Sequence, residues 1–238
     1  MNRLEHAIRR AGYNVLANIA MRVMPVRWKQ YNELKYWKER KAKGLLSDDN
    51  YKYFYTSHFG LDESYYSGKT ILDIGCGPKG SLEWAAMAKR RIGLDPLAKE
   101  YLKLGAARHQ MEYIDSPAEN IPLQDSECDA VFSFNSLDHV HDIARTIKEI
   151  KRILRAGGIF LLLVEVNHPP TACEPHKLTP GRLIEWLKPE FVCKSLQLYR
   201  PAAKGMYASI LANEVLPNPE DSEEIGYMSA HFVRTSAR

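Results

Sequence analysis

No two of the four cysteines, Cys76, Cys128, Cys173 and Cys193, stand at C-x-x-C spacing in the 238 residues. Neither a zinc knuckle nor a disulfide framework is therefore expected, and the four read as free thiols. Long apolar runs are missing too. None approaches the roughly 18 residues needed to cross a bilayer, and Met1 to Val26 has no unbroken apolar core of the kind a secretory signal carries. A cytoplasmic protein is expected. The chain also lacks internal repeats and low-complexity tracts. Its composition, 45% hydrophobic and 26% charged, is ordinary for a globular chain with one sizeable core.

Net charge is +4, unevenly placed. Residues 1–43 hold eleven Lys or Arg against three acids, which makes that segment +8 and the remainder −4. The charge thus belongs to an N-terminal appendage, and the aromatics do not interleave with the basic residues as a nucleic-acid stacking platform requires. No nucleic-acid partner is expected. Leu4, Ile8, Ala11, Val15, Ile19 and Val23 share one helical face, and a second helix is predicted over 28–43. For this basic pair the readings are a lid, a homodimer contact, or peripheral contact of residues 1–24 with an anionic membrane. An aromatic connector, Tyr51 to Gly68, completes an extension assigned to 1–68; the core domain is assigned to 69–238.

From Lys69 onward short β-branched runs alternate with helical patterns. "TILDI" (70–74), "RIGLD" (91–95), a run near Met111 to Ile114, "DAVFSF" (129–134) and "IFLLLVEV" (159–166) read as strands. "SLEWAAMAKR", "LAKEYLKLGA" and "DIARTIKEIKRILRAGG" read as helices between them. This alternation predicts an α/β, doubly wound, mostly parallel Rossmann-like sheet. Further on, "PGRLIEWL" reads as a helix and "FVCKSLQLY" as a strand. "YMSAHFVRT" is preferred to "YASILANEV" for the last strand.

In "ILDIGCGPKGSLEW" the glycines Gly75, Gly77 and Gly80 have G-x-G-x-x-G spacing, which serves dinucleotides and other adenosine ligands alike. Two neighbours argue against a pyrophosphate. Asp73 would set a carboxylate against it, and Pro78 removes one main-chain donor from the turn. The same carboxylate suits a cationic ligand, while Asp95, at the end of the second strand, can accept from both hydroxyls of a ribose.

Four stretches in order, "LDIGCGPKG", "GLDP", "SPAENIPLQDSECDAVFSFNSLDHV" and "EIKRILRAGGIFLLLVE", resemble the successive motifs of class I S-adenosylmethionine-dependent methyltransferases, in particular the type 11 group. The resemblance implies a seven-stranded sheet of the methyltransferase type, S-adenosylmethionine as cofactor and a small-molecule acceptor. It implies that Asp73, Gly75, Cys76 and Gly77 line the methionine end, that Asp95 holds the ribose, and that Pro96 and Leu97 pack on the adenine. Ala118 and Glu119 would meet the other adenine face, and Asn135 and Ser136 would border the methyl group. Lys79 stands where the family often has its third glycine, and Pro117 where it often has an adenine-binding Asp; the latter leaves Ser116 or main chain to meet the adenine amino group.

A hydroxyl acceptor needs a base. His139 matches a histidine frequent in the family, and His168 lies after the fifth strand with Glu165 three residues earlier, able to orient it. The set Glu165, His168, Glu174 and His176 has no H-x-x-x-H face and is interrupted by Pro169 and Pro170, so no metal site is expected. The activity expected is O-methylation of a sugar or glycan intermediate. A lipid or quinone acceptor at a membrane surface, or a regulatory protein that binds the cofactor without turnover, are the alternatives.

Overall fold

The computed structural model describes residues 25–44, 51–171 and 173–236, and the predicted helix over 4–23, with its membrane reading, lies outside them. The chain divides into two compact units, 1–45 and 46–238. In the first, α1 (Pro25–Ala42) carries its aromatic residues around the helix instead of along one stripe, and the Arg40 guanidinium stacks over Tyr36 at 5.3 Å. The aromatic segment 51–68, assigned by sequence to the extension, falls within the second unit. Among the described residues, no helix is long and apolar enough to cross a membrane.

The second unit is built on a seven-stranded sheet ordered β3-β2-β1-β4-β5-β7-β6. Its strands are β1 (Thr70–Ile74), β2 (Arg90–Leu94), β3 (Glu112–Ile114), β4 (Cys128–Phe134), β5 (Leu154–Val166), β6 (Phe191–Tyr199) and β7 (Gly226–Arg234). The pairings among β1 to β5 are parallel, and β7 runs antiparallel between β5 and β6. This is the mostly parallel, doubly wound sheet that the alternating pattern predicts, and the preferred last strand is the one observed. "YASILANEV" instead supplies α6 (Met206–Ala212). The remaining helices are α2 (Lys52–Tyr55), α3 (Ala98–Leu104), α4 (Ile143–Ile153) and α5 (Pro180–Leu187).

Strand alternation sorts the core into two layers. Phe160, Leu162 and Val164 pack with the Ile147 and Ile150 face of α4. Ile159, Leu161 and Leu163 point the other way, among Phe132, Tyr55 and Tyr66.

Two helix boundaries differ from expectation. "SLEWAAMAKR" is a chain of turns, not a helix: Glu83, Ala85 and Ala88 each donate to the carbonyl three residues back, Gly80, Leu82 and Ala85 respectively. The face that such a helix would cover is filled by the aromatic connector. Tyr55 meets Phe132 edge-on with centroids 4.9 Å apart, Tyr66 is fully buried, and Trp84 packs on both tyrosines. Helix α4 ends at Ile153 and not at Gly157, because Leu154 is already opposite Cys128 in the sheet. A β-carbon on Gly158 would lie 2.9 Å from the Asp129 carbonyl, so the strand needs glycine there.

The strand order reverses between β1 and β4, and at such a switch point the loops leave in opposite directions and open a crevice at the carboxyl ends. The site residues that the sequence singles out lie at the carboxyl ends of β1 and β5, as Asp73 and Glu165 do, or in the loops after β1, β2, β3, β4 and β5.

Candidate active site

Strand β1, buried along its whole length, delivers Asp73 to the crevice floor. Its carboxylate accepts from the Tyr55 hydroxyl at 2.9 Å and from the Ser81 hydroxyl. Burial pushes the carboxyl up to about 7, with the Ser81 and Tyr55 hydrogen bonds opposing. The sign of the stability effect follows. Below the ordinary value of 3.8 both folded and unfolded chains hold the proton; between 3.8 and about 7 only the folded chain does, so stability falls as pH rises through that window and stays at the lower level above it. Asn at this position keeps an oxygen for the two hydroxyls without the charge. Wild type should lose on the order of 1 kcal/mol or more between pH 5 and 7 relative to Asp73→Asn, read from urea midpoints across pH. Parallel profiles would refute the raised carboxyl.

Beyond Asp73 the chain turns through Gly75 and Gly77 at φ of 72° and 60°, the left-handed region that favours glycine. The Gly75 N–H donates to the Leu94 carbonyl at 2.8 Å, tying the loop to β2. Cys76 turns its sulfur inward; a β-carbon on Gly93 would sit 2.6 Å from it, so glycine in β2 is what admits the thiol. At the end of β2, Asp95 is buried and accepts from the Leu97 N–H at 2.9 Å and the Gly77 N–H at 3.4 Å. One carboxylate therefore holds the loops after β1 and β2 together, with Pro96 and Leu97 beside it.

After β3, the Ser116 hydroxyl donates to the Asn120 carbonyl at 2.6 Å, and Glu119 accepts from the His141 and Asp142 N–H groups at 2.6 and 3.0 Å. The Glu119 side chain is thus a brace to the loop after β4. Asn135, at φ of 56°, turns the chain out of β4, and Ser136 donates to the Ile74 carbonyl at 2.7 Å.

The segments at and beyond the ends of β4 and β5 are acidic. Asp138 is 1% exposed, its Oδ1 has no hydrogen-bond partner, and burial pushes its carboxyl up to about 7, a rise that Glu174 and Glu165 add to and His168 opposes. His139 Nε2 lies 4.0 Å from Asp138 Oδ1 and 3.8 Å from Glu174 Oε1, with 30% of its side chain exposed. Burial also raises the Glu165 carboxyl and the Tyr227 phenol.

His168 is oriented differently from the expectation. Its Nδ1 pairs with the Pro169 carbonyl at 2.8 Å, so the adjacent main chain and not Glu165 fixes the ring. A carbonyl only accepts, which places the proton on Nδ1; Nε2 is buried without a partner. The loop beyond Pro170 folds back. The Thr171 hydroxyl donates to Glu174 Oε2 at 3.0 Å, and His176 pairs with the Val140 carbonyl at 2.9 Å, folding this loop back over the one after β4.

Sequence reasoning missed Tyr55 and Ser81 on Asp73, and the meeting of Asp138 with Glu174. Ser81 directly follows the glycine loop and could have been flagged by position. Tyr55 could not, since only the folded connector brings it to β1.

The geometry favours an adenosine ligand with a cationic tail over a dinucleotide. No helix follows the glycine loop, so the ring of free N–H groups that binds a pyrophosphate at a helix N-terminus is not formed. Asp95 stands beside this loop at the end of β2. These are the features of a class I S-adenosylmethionine-dependent methyltransferase domain. Residues 72–162 match the "Methyltransferase domain" family model of the type 11 group. A probable S-adenosylmethionine-dependent methyltransferase of Mycolicibacterium smegmatis is 31% identical over 97 residues, 40% of this chain and 38% of that protein. The demethylmenaquinone methyltransferase of Staphylococcus saprophyticus is 29% identical over 116 residues, 44% of this chain and 48% of that protein. The chain therefore spans less than half the length of these relatives. The crystal structure of an S-adenosylmethionine-dependent methyltransferase from Mesorhizobium loti superposes with a TM-score of 0.57 at 20% identity, covering 73% of this chain and 94% of that one, which shows a shared fold.

Proposed function

We propose that the protein transfers the methyl group of S-adenosylmethionine to a hydroxyl of a polar small molecule, with a sugar or glycan intermediate as the acceptor. The observation that carries this reading is the polar rim after β4 and β5, where His139 and His168 stand among Asp138, Glu165 and Glu174. When bound, the cofactor supplies a methyl group on a sulfonium, which an acceptor oxygen displaces in line as the carbon–sulfur bond breaks. The chain's residues then have two tasks: to align the oxygen and to take its proton. Asp73, Gly75, Cys76 and Gly77 would hold the amino-acid end, and Asp95 the ribose. Pro96, Leu97, Ala118 and Glu119 would flank the adenine, and Asn135 and Ser136 would border the methyl group. His139 and His168 are the two imidazoles placed to receive the proton, and Glu165 shapes the field around them.

A quinone or lipid acceptor is the second reading, favoured by the similarity to a demethylmenaquinone methyltransferase. Label from methyl-labelled S-adenosylmethionine should enter the polar glycan fraction of a cell extract. Its appearance in the lipid and quinone fraction would select the second reading, and binding without label transfer to either would favour a regulatory protein. Calorimetry supplies the prior check: S-adenosylmethionine and S-adenosylhomocysteine should bind and NADH should not. Asp95→Ala removes a charged acceptor for the ribose and the brace between two loops, so affinity should fall on the order of tenfold to a hundredfold. Equal affinity would remove Asp95 from the site.

A further inference from the structure

Asp138, His139 and Glu174 each offer one ligand atom, and these atoms all lie within 4.8 Å of one another. They come from two loops that the sequence keeps apart, one after β4 and one after β5, so spacing along the chain gives no sign of the set. The set rejected at the sequence level, Glu165, His168, Glu174 and His176, shares only Glu174 with it.

The geometry points to a divalent-cation site formed by Asp138, His139 and Glu174 at the carboxyl ends of β4 and β5, on the acceptor side of the crevice. Three observations support it. The Asp138 oxygen that faces His139 Nε2 is Oδ1, the one with no hydrogen-bond partner, on a side chain 1% exposed; a buried acceptor left in that state is costly unless a cation or donor meets it. Glu174 is already aimed: the Thr171 hydroxyl holds Oε2, and Oε1 faces His139 at 3.8 Å. Charge is unbalanced as well. Among the described residues, no lysine or arginine pairs with Asp138, Glu165 or Glu174.

Ligand atoms bonded to one first-row ion at about 2.1 Å stand about 3 Å apart, so the separations here ask for an inward movement of about 1 Å. The His139 ring has to turn as well as Glu174, since its Nε2 lies 4.0 Å from Asp138 Oδ1 and 3.8 Å from Glu174 Oε1. Two carboxylate oxygens and one imidazole form a mixed hard and borderline set, which suits Mn2+ among the common divalent ions. Three protein ligands leave coordination positions open to an acceptor with two neighbouring oxygens. The inference rests on the methyl-transfer reading for that role. With an ion in place His139 is a ligand, and the acceptor's proton falls to His168.

Titration of Mn2+ into the full chain without S-adenosylmethionine, followed by loss of the free-ion electron paramagnetic resonance signal, tests the site. A single saturable class of binding is expected, weakened on the order of tenfold in Asp138→Asn and in Glu174→Gln, and unchanged in Glu185→Gln on the exposed face of α5. Glu174 is only partly buried, so its variant stays informative if the Asp138 variant folds poorly. Failure of wild type to bind Mn2+ saturably, or full binding by Glu174→Gln, overturns the site. Calorimetry with S-adenosylmethionine on the same preparation separates the two failures: cofactor binding without Mn2+ binding removes the ion alone, and no cofactor binding removes the methyl-transfer reading.

Discussion

Alanine at both His139 and His168 should lower methyl transfer by about a hundredfold or more while leaving the affinity for S-adenosylmethionine unchanged. Neither imidazole is among the residues proposed to hold the cofactor. The single variants should differ from each other. His168 keeps its proton on Nδ1 through the Pro169 carbonyl, so Nε2 is the basic atom, and His168→Ala should lower kcat with little change in KM. His139 faces two carboxylates, and its loss disturbs the anchoring of the acceptor; His139→Ala should raise KM for the acceptor as well and abolish Mn2+ binding. Stopped-assay kinetics with the labelled cofactor read both parameters. Wild-type turnover in both single variants would remove the proton-acceptor role, and a loss of cofactor affinity would mean that the histidines act on the wrong half of the crevice.

The difference between these two histidines also marks where sequence reading stops. The parallel strands were legible because burial on both faces writes continuous apolar runs, as in Ile159 to Val166. The loop after β1 was legible because left-handed turns demand glycine at Gly75 and Gly77. Helical propensity misled at "SLEWAAMAKR". Local preference there, a few tenths of a kcal/mol per residue, competes with burial of Tyr55 and Tyr66 against Phe132, where each large side chain is worth about 2 kcal/mol. Residues 51–66 are distant in sequence from Phe132, so no window along the chain contains that contact. The same holds for Asp138 and Glu174. Their meeting depends on the turn at Thr171 and on the His176 bond to the Val140 carbonyl, neither of which leaves a periodic trace.

Gly75→Ala should cost more than about 3 kcal/mol of stability, through two separable terms. A β-carbon at Gly75 would lie 2.3 Å from the Ser136 β-carbon, far inside van der Waals contact, and φ there is +72°. Ser136 cannot step aside freely. Its hydroxyl donates to the Ile74 carbonyl at 2.7 Å and meets the Ser133 hydroxyl at 2.7 Å, which locks the loop after β4 against the end of β1. Ser136→Gly alone removes those bonds and should cost about 1 kcal/mol. In the double variant the collision is gone and only the left-handed strain of alanine remains, about 1 kcal/mol, so the two substitutions should be markedly less damaging together than their sum. Urea unfolding of the four proteins in the cycle measures this coupling. Additive losses would mean that the loops after β1 and β4 do not touch as described, and the crevice between them would lose its floor. Cofactor affinity should follow the same cycle, because the Gly75 N–H bond to the Leu94 carbonyl carries the disturbance to Asp95 at the end of β2. Recovery of stability without recovery of affinity would place the methyl group's neighbourhood, and Ser136 itself, in direct contact with the cofactor.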